Sequence, residues 1–167
     1  MDPHIEIREA SEADVPAISS FFLEMWRQSG PEAPGFSGAT EEVIAEIAAP
    51  EAIRARIGGP SRRMFLAYLA DSVVGFAATR TVGDQSIELA GVVVLDAMIG
   101  RGIGTPLVAA AVESARGHGF SLMTVSTETE NERALRFYRA RGFEVTGKSI
   151  TTVEDTEVPV TDLERPL

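Results

Sequence analysis

Between residues 86 and 127 the chain runs through an apolar stretch (SIELAGVVVLD), three glycines at alternating positions (MIGRGIGTPL, 98–107), a segment of helical periodicity and a second alternating run (SLMTVST). In the helical segment Leu107, Val108, Ala111, Val112 and Ala115 share one face. That order is a β-loop-α-β unit, for which a parallel right-handed crossover is strongly preferred. What precedes it has a different character. The runs RMFLAYLAD and VVGFAATRTV, together with SIELAGVVVLD, are joined by short polar turns at Asp71-Ser72 and Gly83-Asp84, which predicts an antiparallel meander. A chain that feeds such a meander into a glycine loop and a crossover helix must build a mixed α/β (α+β) sheet.

The flanks complete the pattern. HIEIREA alternates as a first strand, and Ser11 with Asp14 reads as a capping box before a helix that carries Ile18, Phe22, Met25 and Trp26 on one face. SGPEAPGFSG is a loop of a length that is often functional, and it is expected beside a binding site. Thr40 opens a helical pair that Pro50 breaks and Gly58-Gly59 end. Further on, TETENERALRFYRARGF predicts a helix with Thr129 and Glu132 as its capping box and Gly142 as its stop, and FEVTGKSITT and VPVTDLERPL close as strands. No repeat or second domain interrupts 1–167.

Composition narrows the chemistry. A formal charge of -10 argues against nucleic acid and anionic lipid as partners and suits a small amine better. The absence of cysteine removes disulfides, thiolate metal sites and cysteine nucleophiles, and His4 and His118 are too few for a histidine-built centre, so no metal is expected. The first residues lack a signal-peptide pattern, and no apolar run approaches the roughly 20 residues of a membrane span. A cytoplasmic protein is expected.

Glycines at 100, 102 and 104 allow positive φ and close approach of a ligand to the backbone. If a helix starts there, its free N–H groups and the positive end of its dipole make an anion site suited to a phosphate or pyrophosphate. Pro106 fits the first helical turn, and Thr105 is an alternative cap. A plain strand-to-helix turn explains an isolated G-x-G-x-G equally well. A dinucleotide fold, with Glu128 as ribose-binding acid, is opposed by the meander that comes first, and a Walker loop by the lack of a lysine followed by serine or threonine.

The order of elements and two motifs together resemble the GCN5-related N-acetyltransferase (GNAT) family. Its pyrophosphate motif, V-x-P-x-x-R/Q-G-x-G-x-G/A, is matched by Val94 through Gly104, with Asp96 in place of the proline and Ile99 in place of the arginine or glutamine. Its second signature, N-x-x-A-x-x-x-Y-x-x-x-G-F, is complete as Asn131, Ala134, Tyr138, Gly142 and Phe143. The resemblance implies one GNAT-fold domain, a mostly antiparallel sheet of six to seven strands flanked by about four helices. It implies acetyl-CoA as cosubstrate, with main-chain groups of Val92, Val93 and Val94 pairing with the pantetheine. Gly100, Arg101, Gly102, Ile103, Gly104 and Thr105 would hold the pyrophosphate, with Arg101 offering charge, and Asn131 would reach the pantetheine region.

The implied reaction is direct acetyl transfer to a small-molecule or peptide amine. It needs a neutral amine, stabilisation of the developing oxyanion, and a proton for the leaving thiolate. Tyr138, on one helix face with Asn131 and Ala134, becomes the candidate acid; by itself a tyrosine after Phe137 reads as core. For the base, relatives carry a glutamate where this chain has Ser126, so Glu88, acting through water from a position expected to face the cleft, is preferred to Glu128. Glu88 reads equally as a solvated strand-end carboxylate. The departures at Ile99 and Ser126 leave a catalytically weak acyl-CoA-binding sensor as the alternative. Dimers are frequent in the family, which makes a homodimer possible.

Overall fold

The computed structural model describes residues 4–30, 40–153 and 155–167. The chain folds as β1 (Ile5–Glu9), α1 (Val15–Ser29), α2 (Glu41–Ile47), α3 (Pro50–Ile57), β2 (Arg62–Leu69), β3 (Ser72–Thr81), β4 (Ser86–Val94), α4 (Gly104–Gly117), β5 (Leu122–Glu128), α5 (Glu132–Arg139), β6 (Glu144–Val153) and β7 (Thr156–Pro166). Short 3-10 turns precede α1 and follow β4. The seven strands form one sheet in the order β1-β2-β3-β4-β5-β7-β6, in which only β4 and β5 run parallel. The described helices number five, because Pro50 breaks the pair that Thr40 opens and starts a helix of its own.

Two layers of helix cover the sheet, and adjacent residues of β3 show which covers which face. Phe76 meets Phe21 and Phe22 of α1 edge-on, each at 5.7 Å between ring centroids. The neighbouring Gly75 lies under Leu107 of α4, so close that an added Cβ would stand 3.3 Å from its Cδ1. Because side chains alternate along a strand, α1 and α4 occupy opposite faces. The aliphatic stripe foreseen on α4 is buried without exception, as are Ile18, Phe22 and Met25 of α1.

Two local expectations are corrected, and a third, the capping box at Ser11 and Asp14, holds with a later start of the α-helix. Thr129 does not cap α5; its hydroxyl pairs with that of Thr161 at 3.0 Å, and Asn131 caps the helix by accepting from Ala134 N at 3.1 Å. The β2–β3 turn falls at Ala70–Asp71, with Ala70 at φ 53°, so Ser72 already belongs to β3. At α1 the Asp14 carboxylate does accept from Ser11 N at 2.8 Å, but the residues between form a 3-10 turn and the α-helix begins at Val15. Most of the segment SGPEAPGFSG lies outside the described residues. No described helix is long and apolar enough to cross a membrane.

Candidate active site

The site begins where the sheet comes apart. β4 and β5 are paired only through Ser86–Leu122, Ile87–Met123 and Glu88–Thr124; beyond that point the two strands diverge. β4 also carries a bulge, since Ala78 faces Gly91 and Thr79 faces Leu89 while Ala90 has no partner. From Val92 to Val94 the edge of β4 that faces β5 therefore lacks a neighbouring strand. An extended ligand can add there through main-chain hydrogen bonds.

Below this edge lies a cleft of about 410 Å³, lined by Val92, Val93 and Val94, by the loop from Met98 to Thr105, and by one face of α5. Gly100 and Gly102 take φ of 85° and 75°, in the left-handed region where other residues are strained, and an added Cβ at either would meet nothing within 4 Å. The space beside them is open to a ligand. Gly104 is required for the opposite reason: a Cβ there would stand 2.9 Å from the Phe137 ring. α4 starts at Gly104, so its first amides and the positive end of its dipole face the cleft, and Pro106 forfeits no helical hydrogen bond.

Of the predicted cofactor residues, Val92, Val93, Val94, Gly100, Gly102, Ile103, Gly104, Thr105 and Asn131 all line this cleft. Arg101 does not; it is exposed and lies outside the lining. Ile99 lines the cleft without offering charge, and Asp96, standing where a proline was expected, accepts from the Ser29 hydroxyl at the end of α1.

The positive charge comes from elsewhere. Arg133 and Arg141 both line the cleft. The Arg141 guanidinium stacks 3.6 Å from the centroid of Phe137, donates to Phe137 O at 2.7 Å and to the Thr105 hydroxyl, and keeps a buried Nε with no protein partner. No carboxylate pairs with it among the described residues, and burial lowers its pKa, although a guanidinium stays charged at neutral pH. An immobilised, uncompensated cation beside a loop of free amides fits a pyrophosphate. Sequence reasoning missed Arg141, although it follows Phe137 by four and Tyr138 by three residues, spacings that put groups on one helical face.

Tyr138 lines the same cleft, is 7 % exposed, and packs edge-on against Phe137 and Phe143. Its hydroxyl has no hydrogen-bond partner among the described residues, and burial pushes its pKa up to about 12. The ring is packed as the core reading expects, and the same residue borders the cleft. Glu88 lies elsewhere. It lines a second cavity, also about 410 Å³, on the α1 face of the sheet, where Arg80 Nη2 donates to Glu88 Oε2 at 2.7 Å. Ser126 donates to Asp162 Oδ1 at 2.6 Å and lines neither cavity. Val93 lines both cavities, so the two meet at β4.

The comparisons with known proteins agree with this architecture. Residues 22–143 match the model of the acetyltransferase (GNAT) family. The chain belongs to that family. Among curated relatives, the L-methionine sulfoximine/L-methionine sulfone acetyltransferases of Pseudomonas paraeruginosa and Pseudomonas aeruginosa are each 28% identical over 146 residues, 85% of this chain and 81% of theirs. Among solved structures, PaiA N-acetyltransferase from Thermoplasma acidophilum, in complex with coenzyme A, superposes with a TM-score of 0.72 at 19% identity over 98% of this chain and 99% of that one. YncA from Salmonella typhimurium, solved with its cofactor acetyl-CoA, gives 0.73 at 21% over 98% and 94%. At such identities these two likenesses are of fold.

Proposed function

We propose that this acetyltransferase moves an acetyl group from acetyl-CoA directly to a primary amine, with both substrates bound at once. The observation that carries this reading is that two cavities meet at Val93, one with a bare strand edge and an amide-rich loop, the other on the opposite face of the same strand. A donor in the first and an acceptor in the second would approach each other across β4. The lining of the first cavity offers no cysteine for a covalent acyl-enzyme route, and its one aliphatic hydroxyl, that of Thr105, accepts from Arg141.

Acetyl-CoA supplies an acetyl group activated as a thioester. The chain supplies the rest. Main-chain groups of Val92 to Val94 orient the pantetheine as an added strand, and the amides of the loop up to Thr105, with Arg141 and Arg133, hold the pyrophosphate. The Asn131 Oδ1 is committed to its cap, which leaves the Nδ2 donors free to turn toward the cleft. Tyr138 keeps its proton throughout the physiological range. A neutral phenol is a donor to a sulfur on which negative charge builds, and because its pKa is about 12 it stabilises that charge chiefly as a hydrogen-bond donor, with proton delivery following as product forms. Glu88 is the base, taking a proton from the amine through water on the acceptor side.

Initial rates with both substrates varied test the reading. Intersecting double-reciprocal lines are expected for a ternary complex, and parallel lines would refute direct transfer. The sensor alternative predicts tight acetyl-CoA binding by calorimetry with no CoA release across an amine panel.

A further inference from the structure

The cavity on the α1 face carries a charge that the chain's overall balance of -10 does not foreshadow. It is lined by Arg56, Arg62 and Arg80 against the single carboxylate of Glu88. Arg80 and Glu88 neutralise each other at 2.7 Å. Arg56 and Arg62 have no acidic partner among the described residues, and Arg56 is half-buried, its guanidinium carbon 5.4 Å from the centroid of Phe22. Burial, and then the like charge of Arg62, pull the Arg56 pKa down, so the two cations oppose each other's ionisation. In the same lining Thr79, 3 % exposed, keeps a buried hydroxyl oxygen with no hydrogen-bond partner.

Buried polar groups are normally satisfied, and neighbouring cations that line one cavity, here the half-buried Arg56 and the exposed Arg62, are stabilised by a shared anion. The remaining walls, Phe22, Ile47, Met64 and Phe76, are apolar. From this cavity we infer that the acceptor is a small zwitterion, an amine that also bears a carboxylate, in the manner of an α-amino acid. Its carboxylate is held by Arg56 and Arg62, its side chain rests on the apolar wall, and its amine points to β4 at Val93 and Glu88. A bare amine or polyamine would meet two uncompensated cations on entry, whereas a zwitterion offsets them. The inference rests on the acetyltransferase reading and deepens it by naming the acceptor class.

The test measures acetyl-CoA binding by calorimetry and CoA release with the standard α-amino acids, their primary amides and the corresponding decarboxylated amines. The wild type is expected to prefer at least one free acid over its amide by about tenfold or more in kcat/KM, the effect of a charge-assisted hydrogen bond. In Arg56→Gln and in the double variant with Arg62→Gln that ratio is expected to fall toward one, chiefly through KM, while Arg56→Lys retains part of it. Retained acetyl-CoA affinity in each variant reports an intact fold. Equal or better turnover of the amides and amines by the wild type would overturn the zwitterion assignment and leave the acetyltransferase reading standing, whereas binding of acetyl-CoA with turnover of no member of the set would overturn the assignment and favour the sensor alternative. Failure to bind acetyl-CoA at all would overturn both.

Discussion

The cleft beneath β4 is lined by three contiguous stretches of chain, within 92–94, 98–105 and 131–141, whereas the cavity on the α1 face takes scattered residues from α1, α2, α3, β2, β3 and β4. The first is a local construction. A bare strand edge, a loop of amides and one helix face can bind the same cosubstrate whatever surrounds them, because backbone supplies most of the contacts. The second is a tertiary construction in which Phe22, Arg56 and Thr79 meet only because α1 and α3 pack over the sheet. Changes in the first should therefore alter every reaction the protein performs, and changes in the second should alter which acceptor it performs it on.

The largest effect is expected for Tyr138→Phe. The ring packing against Phe137 and Phe143 is preserved, and the hydroxyl has no protein partner to lose, so the variant should fold and bind acetyl-CoA as before. Its kcat should fall about 100-fold with every acceptor, the scale of a lost general acid. A fall confined to one acceptor would place Tyr138 in acceptor recognition and blur the division between the two cavities. Stability checks the burial independently. Because the folded-state pKa is raised, the stability tied to the neutral phenol is fully present below the unfolded pKa near 10 and is lost as pH rises toward about 12. That loss amounts to roughly 2–3 kcal/mol when the unfolded phenol ionises first. Denaturant titration should show this alkaline decline to be smaller in Tyr138→Phe.

This division also accounts for what was legible in the residues alone. The strand, glycine loop and crossover helix could be read because the periods of apolar residues and the positions of Gly100 and Gly102 are local properties, but the cleft followed only with the family resemblance, since the glycines alone read equally as a plain turn. Asn131 could be placed at the cleft, but its capping role could not be separated from that of Thr129, since both are good N-caps and the choice depends on Thr161, far away in sequence. Arg101 looked the natural cation because it sits inside the glycine run. The arginines that line the cleft are Arg133 and Arg141 instead, and the position of Arg141 depends on stacking against Phe137. The cavity on the α1 face was not legible at all: net charge pointed only to an amine partner, and the local excess of arginine emerges only when α3 is laid against β2 and β3.

A second test sets a side-chain contribution against the backbone. Arg141→Leu keeps bulk over Phe137 but removes the charge, and acetyl-CoA affinity should fall about tenfold, the effect of losing a charge-assisted contact. The affinity of the wild type should also weaken with added salt more steeply than that of the variant. Unchanged affinity and salt dependence would mean that the amides and the α4 dipole suffice.

On the other face, Glu88→Gln should lower kcat/KM for the acceptor about tenfold, less than a directly engaged base would cost because the proton passes through water. Arg80→Gln is the necessary companion, since it breaks the same 2.7 Å ion pair while leaving the carboxylate in place. If Glu88 serves as base, Arg80→Gln should cost much less than Glu88→Gln. Equal losses would reduce Glu88 to the partner of Arg80 and move the cavity's role wholly to acceptor binding.

The smallest effect is expected at Arg101. Its side chain is exposed and outside the lining, and a solvated charge at that distance is screened over about a Debye length of 8–10 Å. Arg101→Ala should change acetyl-CoA affinity by less than about twofold at physiological ionic strength, within the range of an exposed charge. The φ of Gly100 and Gly102 on either side does not depend on that side chain, so the loop conformation should persist. A loss as large as that of Arg141→Leu would show that the loop closes on the pyrophosphate and draws Arg101 inward. The cleft would then depend on loop movement as well as on a preformed strand edge.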